Sequence, residues 1–249
     1  MRHLFAALLC VLAMPLHACT LRMAPEDWPP YIYRSGGHLT GIDYELASAI
    51  LRQAGCKLKE EEEVPPARRQ LMFEQGRIDM LLAAFDTPER RGIARFSLPY
   101  RNETVGLFSL PAAQPRYRDI SSFTALADAG SSLLTPRVGF YGADYERALP
   151  RLDAGGKRST FSSFEQGIRM LKAGRADLIM GDTVALRYAA RQLGVAIEAL
   201  PFVPYHAPVH MMLNAASTTR DQLARINRAI ALLERNGTLR AIRERYGID

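Results

Sequence analysis

The sequence lacks any long hydrophobic run past its first residues. Leu4 to Met14 is apolar and uncharged, but far shorter than the ~20 apolar residues that a membrane-spanning helix needs. Arg2 stands before it, Pro15 breaks it, and Ala18 offers a small residue for cleavage. Residues 1–18 therefore read as a removed signal peptide, which places the mature chain outside the cytoplasm. Cysteine is nearly absent too: of three in the chain, Cys10 leaves with the signal, so Cys19 and Cys56 remain. An even pair in an oxidising compartment favours a disulfide. A rival reading takes Leu16-His17-Ala18-Cys19 as a lipoprotein cleavage box, and the two exclude each other because lipidation consumes the Cys19 sulfur. No Gly-x-Ser-x-Gly elbow, phosphate-binding glycine loop or zinc-protease pair is present. His206 and His210 have i,i+4 spacing, but Pro208 between them argues against a helix, and on a strand four residues span ~13 Å. No metal or other cofactor is expected. The net charge of +6 is spread among interspersed acids and bases without a basic stripe, which excludes nucleic acid as a partner.

What is there is an alternation of short apolar runs with amphipathic helical patterns over about 230 mature residues, the mark of an α/β architecture. With 48% hydrophobic residues, packed cores are well supplied. Thr20 to Ala24 read as a first strand. Ile42, Leu46, Ala49 and Ile50 have helical spacing, which Gly55 stops, and Cys56 opens a second strand. Parallel pairing of these strands puts Cys19 beside Cys56. A short helix then leads to Gly76, and Ile78 to Phe85 is apolar enough for a parallel strand covered on both faces. Gly76-Arg77-Ile78-Asp79-Met80-Leu81-Leu82 is echoed by Gly174-Arg175-Ala176-Asp177-Leu178-Ile179-Met180. Each echo follows a helix and ends in an Asp-Thr pair, Asp86-Thr87 and Asp182-Thr183, which suggests two lobes built from one helix–turn–strand unit. Arg137 to Tyr141 and Lys157 to Phe161 are expected as further strands. Asp144 and Ser163 stand where helices begin, and Asn236-Gly237 separates two final helices.

Ligands of open α/β sheets bind outside the carboxyl ends of the strands. Arg90 and Asp182 flank two such ends, and an Arg facing an Asp suits a zwitterion. From here the chain resembles the bacterial extracellular solute-binding proteins of family 3, which bind polar amino acids. The resemblance is carried in order by Trp28-Pro29-Pro30-Tyr31, Gly41-Ile42-Asp43-Tyr44-Glu45-Leu46, Thr87-Pro88-Glu89-Arg90, Phe96-Ser97-Leu98-Pro99-Tyr100, Arg137-Val138-Gly139, and Asn236-Gly237-Thr238-Leu239 to Tyr246-Gly247. It implies an α/β, two-lobed, periplasmic-binding-protein-like (type II) fold with a hinge and an interlobe cleft. Residues 19–104 plus 203–249 would form one lobe and 105–202 the other, with crossings near Arg101 to Val105 and Leu200 to Tyr205. It implies that Arg90 clamps a ligand carboxylate, that Asp182 takes the α-ammonium and that Trp28 covers the side chain. It further implies a monomer in the periplasm that serves an ABC-type permease or a membrane sensor.

Four positions depart from that family's pattern. Phe85 and Ala83 stand where hydroxyl side chains are usual, and Ala143 and Asp144 replace the hydroxyls of a Gly-Ser/Thr-Thr turn. Hydrogen bonds to charged groups contribute about 1.5–3 kcal/mol each, so their loss weakens the case for an ordinary amino acid. Pro65 to Arg69 resembles a subgroup's Pro-Trp-x-Arg stretch, with Arg68 as the Arg and Pro66 in place of Trp. The runner-up function is a cyclohexadienyl-dehydratase-like enzyme on the same fold. It would need a general acid, for which Glu26, Asp86, Asp144 and His206 are candidates.

Overall fold

The computed structural model describes residues 19–248. The signal segment expected over 1–18 lies outside the described residues. The chain runs β1 (Cys19–Met23), β2 (Tyr33–Ser35), β3 (His38–Thr40), α1 (Ile42–Gln53), β4 (Cys56–Glu60), α2 (Pro66–Glu74), β5 (Met80–Ala84), α3 (Pro88–Arg91) and β6 (Ala94–Ser109). It continues through α4 (Gln114–Tyr117), α5 (Phe123–Asp128), β7 (Leu133–Pro136), α6 (Ala143–Ala154), β8 (Arg158–Phe161), α7 (Phe164–Lys172), β9 (Leu178–Asp182) and α8 (Thr183–Gln192). The last elements are β10 (Glu198–Ala199), β11 (Tyr205–Asn214), α9 (Arg220–Arg235) and α10 (Thr238–Arg245).

Local chemistry sets these elements. Helix α1 buries Ile42, Leu46, Ala47, Ile50 and Leu51 on one face. It enters through Gly41 at φ 111, where a β-carbon would collide with the main-chain oxygens of Pro30 and Tyr31. Ser163 caps α7 by accepting the Gln166 N–H, and Thr219 with Gln222 forms a capping box on α9. Gly237, at φ 80, divides α9 from α10.

Strands β1 and β4 pair in parallel with Cys19 opposite Cys56, and the two sulfurs are joined. The lipoprotein reading would need a sulfur that this bond already uses. The larger sheet has the order β5-β11-β6-β9-β7-β8, with β10 also on β6. Strand β6 is the shared member: it pairs with β11 over Ala94 to Val105, then with β9 over Val105 to Phe108.

The apolar core divides accordingly. One pair of clusters draws on residues up to Tyr100 and from Val209 onward, including Leu46, Phe73, Met80, Met211 and Ile230, with Ala185 the exception. The other pair draws on residues 105–200, including Leu107, Leu133, Phe161, Ile179 and Leu200. The molecule is thus the two-lobed α/β protein that the sequence suggests.

Three expectations need correction. The strand expected to be parallel at Ile78 to Phe85 is β5, which lies at the edge of the sheet and pairs antiparallel with β11. The strand expected at Arg137 to Tyr141 is instead β7, at Leu133–Pro136, whose first three residues are wholly buried. Beyond Pro136 the chain turns, with Gly139 at φ 130 and the Tyr141 hydroxyl donating to the Val138 carbonyl at 2.8 Å. The Asp-Thr echo is also out of register. In the second unit Asp182 ends β9 and caps α8, whereas in the first the cap position before α3 falls on Thr87.

Candidate functional site

Alternation along β6 puts Arg101, Glu103 and Val105 on one face and Asn102 and Thr104 on the other. The first three are buried. Opposite them on β11 lie Val209, Ala207 and Tyr205, and on β9 Asp182 faces Val105. Two charged residues in alternation on a buried strand face demand partners. Arg101, with no exposed side-chain surface, forks onto Asp43, Nε to Oδ1 at 2.6 Å and Nη2 to Oδ2 at 2.8 Å. Gly41 makes this possible: the α1 entry it allows brings Asp43 N–H onto the Tyr31 carbonyl at 2.9 Å and its carboxylate into the core.

The Arg101 guanidinium also lies 4.0 Å from the Tyr31 ring centre and 5.8 Å from that of Trp28, a cation–π arrangement. Burial opposes its charge, but Asp43 beside it raises its pKa well above the usual arginine value. Glu103 receives only a 3.5 Å contact from Arg101 Nη2, at the outer limit of a hydrogen bond. Asp182 Oδ1 accepts the Ala185 N–H at 2.7 Å, and its Oδ2 accepts the Tyr31 hydroxyl at 3.1 Å. Burial pushes the Glu103 carboxyl up to about 8, helped by the neighbouring Asp182 charge. Burial likewise raises Asp182, to about 6, against the pull of Arg101 and the Ala185 N–H.

Next to this group Glu26 pairs with Arg69, and burial raises Glu26 despite that cation. Arg69 Nη1 and Trp28 Nε1 are buried without a hydrogen-bond partner among the described residues. Phe85, Phe140 and Tyr205 stack edge to face, with centroids 4.9–6.1 Å apart. The Tyr141 hydroxyl, from the other lobe, feels the charges of Glu103, Asp182 and Glu26 and, being buried, titrates far above its ordinary range. Tyr31 also borders a cavity of about 240 Å³ that Asn102, Thr104, Thr183 and His206 line from the opposite face of β6.

The structure treats the sequence candidates unequally. Trp28 packs on Tyr31 at 4.5 Å, and Asp182 joins the buried charges. Phe85 becomes part of the aromatic cluster rather than a gap where a hydroxyl is missing. Arg90 is half-buried beside it and donates to the Phe85 carbonyl at 3.1 Å; it has no ion pair among the described residues, and burial lowers its pKa. Ala83 holds a positive φ of 52, with its N–H donating to the Tyr100 hydroxyl at 2.8 Å. Arg68 is exposed on α2, and its neighbour Arg69 turns inward instead. Ala143 and Asp144 are exposed in the first turn of α6, where Gly142 holds the cap position and Asp144 pairs with Arg147.

Of the candidate acids, Asp86 is tied to Arg91 at 2.7 Å, and His206 contacts Thr104 at 2.8 Å. Only Glu26 lies among the buried charges. His210 contacts the Ser97 carbonyl at 2.7 Å. Sequence reasoning missed Tyr31, Asp43, Arg69, Arg101, Glu103, Phe140, Tyr141 and Tyr205 as site residues. Arg101 and Glu103, two charges in alternation within a strand, were the one signal that pointed to part of them.

Over residues 21–249 the chain matches the family model of the bacterial extracellular solute-binding proteins, family 3. It belongs to that family. Solved structures similar to this family member include an ancestral arginine-binding protein bound to glutamine (23% identity, TM-score 0.72, covering 92% of this chain and 97% of that one). A histidine kinase sensor domain with similarity to periplasmic binding proteins shares 19% identity with a TM-score of 0.75 over 93% of this chain and 97% of that one. An ancestral amino acid-binding protein, a precursor of cyclohexadienyl dehydratase, shares 21% identity with a TM-score of 0.74 over 91% of this chain and 95% of that one. At such identities these likenesses establish the periplasmic-binding-protein-like fold. No curated protein matches the chain. Among the described residues no helix is long and apolar enough to cross a membrane.

Proposed function

We propose that this solute-binding protein works in the periplasm as a monomer. It reversibly captures a small polar, carboxylate-bearing solute, an amino acid or a related compound, and passes it to an ABC-type permease. In this reading residues 19–104 plus 203–249 form one lobe and 105–202 the other, and they close on the solute about β6. The observation that carries it is Asp182, a buried carboxylate fixed by the cap of α8 and by the Tyr31 hydroxyl of the opposite lobe. Such a group, set where the lobes meet, suits an ammonium. Arg90, half-buried and without an ion pair among the described residues, suits the carboxylate, and Trp28 forms a wall. Amino-acid ligands in the similar solved proteins favour the same solute class. The sensor domain among them makes a membrane sensor the alternative recipient.

A thermal-shift panel of amino acids, polyamines, dicarboxylates and aromatic precursors tests this. A solute at a hundred times its dissociation constant stabilises the fold by ~2.7 kcal/mol, a rise of roughly 5–11 °C for a chain of this size. The rise should vanish in Arg90→Ala, whose own melting stays cooperative. An undiminished rise in Arg90→Ala removes that residue from the site.

A second reading, a dehydratase-like enzyme, has one observation behind it. Glu103, held up to about 8, is still protonated at neutral pH, as a general acid must be. Product formation from prephenate or arogenate, lost in Glu103→Gln, would select it.

A further inference from the structure

Beneath Trp28 and Tyr31 the buried charges do not balance. Arg101 has its fork committed to Asp43, and Glu26 has Arg69. Glu103 then shares only the far edge of the Arg101 guanidinium, at 3.5 Å, and Asp182 has no ion pair among the described residues. Both are more than nine-tenths buried. Asp182 has two donors, whereas Glu103 has one marginal contact to its Oε2 and no hydrogen bond to its Oε1 among the described residues. The two are close through the register of β6 and β9: Asp182 is opposite Val105, and Glu103 is the next residue along that face. Two buried carboxylates that share one guanidinium already forked onto a third are under-compensated, which is costly.

We propose that Glu103 and Asp182 form a single dicarboxylate subsite for an organic cation, so that the protein selects solutes carrying more positive charge than a neutral α-amino acid. This rests on the reading of the cleft as the solute site and goes on to name the charge class of the solute. One ammonium satisfies Asp182, as the family reading requires; the second carboxylate gives a reason for a second cationic group, ammonium or guanidinium, on the same solute. No covalent bond changes. When the cation enters, Glu103 ionises and its proton passes to solvent.

The groups facing the pair come from every surrounding element. They are Arg101 from β6, Asp43 from α1, Tyr31 and Glu26 from the segment after β1, Tyr141 from the loop before α6, and Tyr205 from β11. Among them Arg101 is already paired, Glu26 is matched by Arg69, and the tyrosines stay neutral. The solute-free pair therefore carries one proton between about pH 6 and about pH 8. Capture of a cation strengthens as that proton is lost on raising the pH, and weakens as Asp182 gains its own on lowering it.

Calorimetric titration of the mature chain at pH 7 with L-arginine and with L-glutamine, each in phosphate and in Tris, tests the subsite. L-Arginine should bind at least about tenfold more tightly. Its apparent heat should differ between the two buffers, reporting release of up to one proton. Glu103→Gln should bring the preference near unity and erase the buffer difference. The proton count in the unmodified protein tests the proposal even if that variant does not fold. Equal or tighter binding of L-glutamine, or identical L-arginine heats in the two buffers, would overturn the subsite while leaving the solute-binding reading intact. Binding of neither overturns the subsite too, and the thermal-shift panel then judges the broader reading separately.

Discussion

The two helix–turn–strand units begin alike and end differently. Gly76 and Gly174 sit at φ 67 and 68. The next residue's N–H returns to a helix carbonyl in each, Arg77 to Met72 and Arg175 to Met170. Asp79 then accepts the Arg22 N–H at 2.8 Å, as Asp177 accepts the Ser132 N–H at 2.9 Å, each locking its strand to a neighbour. After that they part. In the first unit Phe85 and Asp86 intervene before the cap position at Thr87, and Asp86 turns out to Arg91. In the second the strand's last residue is itself the cap, so Asp182 is drawn into the core. The common half is scaffold, and the chemistry enters where the copies diverge.

The units also differ in how they are fastened, which sets the largest expected effect. Cys19 and Cys56 are joined across a sequence separation of 37, whereas β7 and β8 pair without cysteine. Replacing both cysteines by serine should cost about 4 kcal/mol in urea unfolding. A loss under about 1 kcal/mol would mean that the parallel strands hold without the bond. The second prediction probes the shared half. Asp79→Ala should cost about 2–3 kcal/mol and Asp177→Ala about 1–2 kcal/mol, because Asp79 also holds the charged Arg22 guanidinium whereas the further partners of Asp177 are neutral hydroxyls. The reverse order would undo the parallel.

The divergent ends should respond to pH with opposite signs. Glu103 beside Asp182 has its acidity weakened by burial, so the folded state holds a proton that the unfolded chain gives up. Its contribution to stability is full below about pH 4.5 and drains away as pH rises to about 8. Glu103→Gln should therefore melt roughly 2–4 °C above the parent at pH 8.5 and level with it at pH 4.5. Asp86 is the counterpart: Arg91 lowers its pKa, so its contribution is present above the ordinary aspartate range and lost as pH falls. Arg91 is two-thirds exposed, so Asp86→Asn should cost no more than about 0.5 kcal/mol at pH 7.

Much of the scaffold was legible because it is written in local chemistry. The α1 face, the cysteine pairing, the Ser163 cap and the Asn236-Gly237 break each depend on a few adjacent residues. Strand β7 was missed because Leu133-Leu134-Thr135 is too short to show a period, while Arg137 to Tyr141 imitates one. The site was less legible. Trp28 and Asp182 stand out by motif or position, but Arg101 becomes a site residue only through Asp43, 58 positions away. A single sequence does not reveal which distant carboxylate a buried arginine will meet. Arg68 and Arg69 could be told apart only once α2 had a fixed rotation.

The core around α1 contains Met211, Ile226, Ile230, Leu239 and Ile242. Arg225 bridges back to the Ala54 and Gly55 carbonyls, Arg243 to the Tyr100 carbonyl, and Arg245 and Tyr246 to Glu45. In order of synthesis, the part built first is completed last. A chain still emerging has no partner for the apolar face of α1 until its final forty or so residues are free, since contacts so distant must await loop closure. The 105–200 region, whose own apolar clusters draw on residues within it, is under less of a delay. Connectivity alone thereby holds back closure of the amino-terminal half until the carboxyl-terminal helices are available.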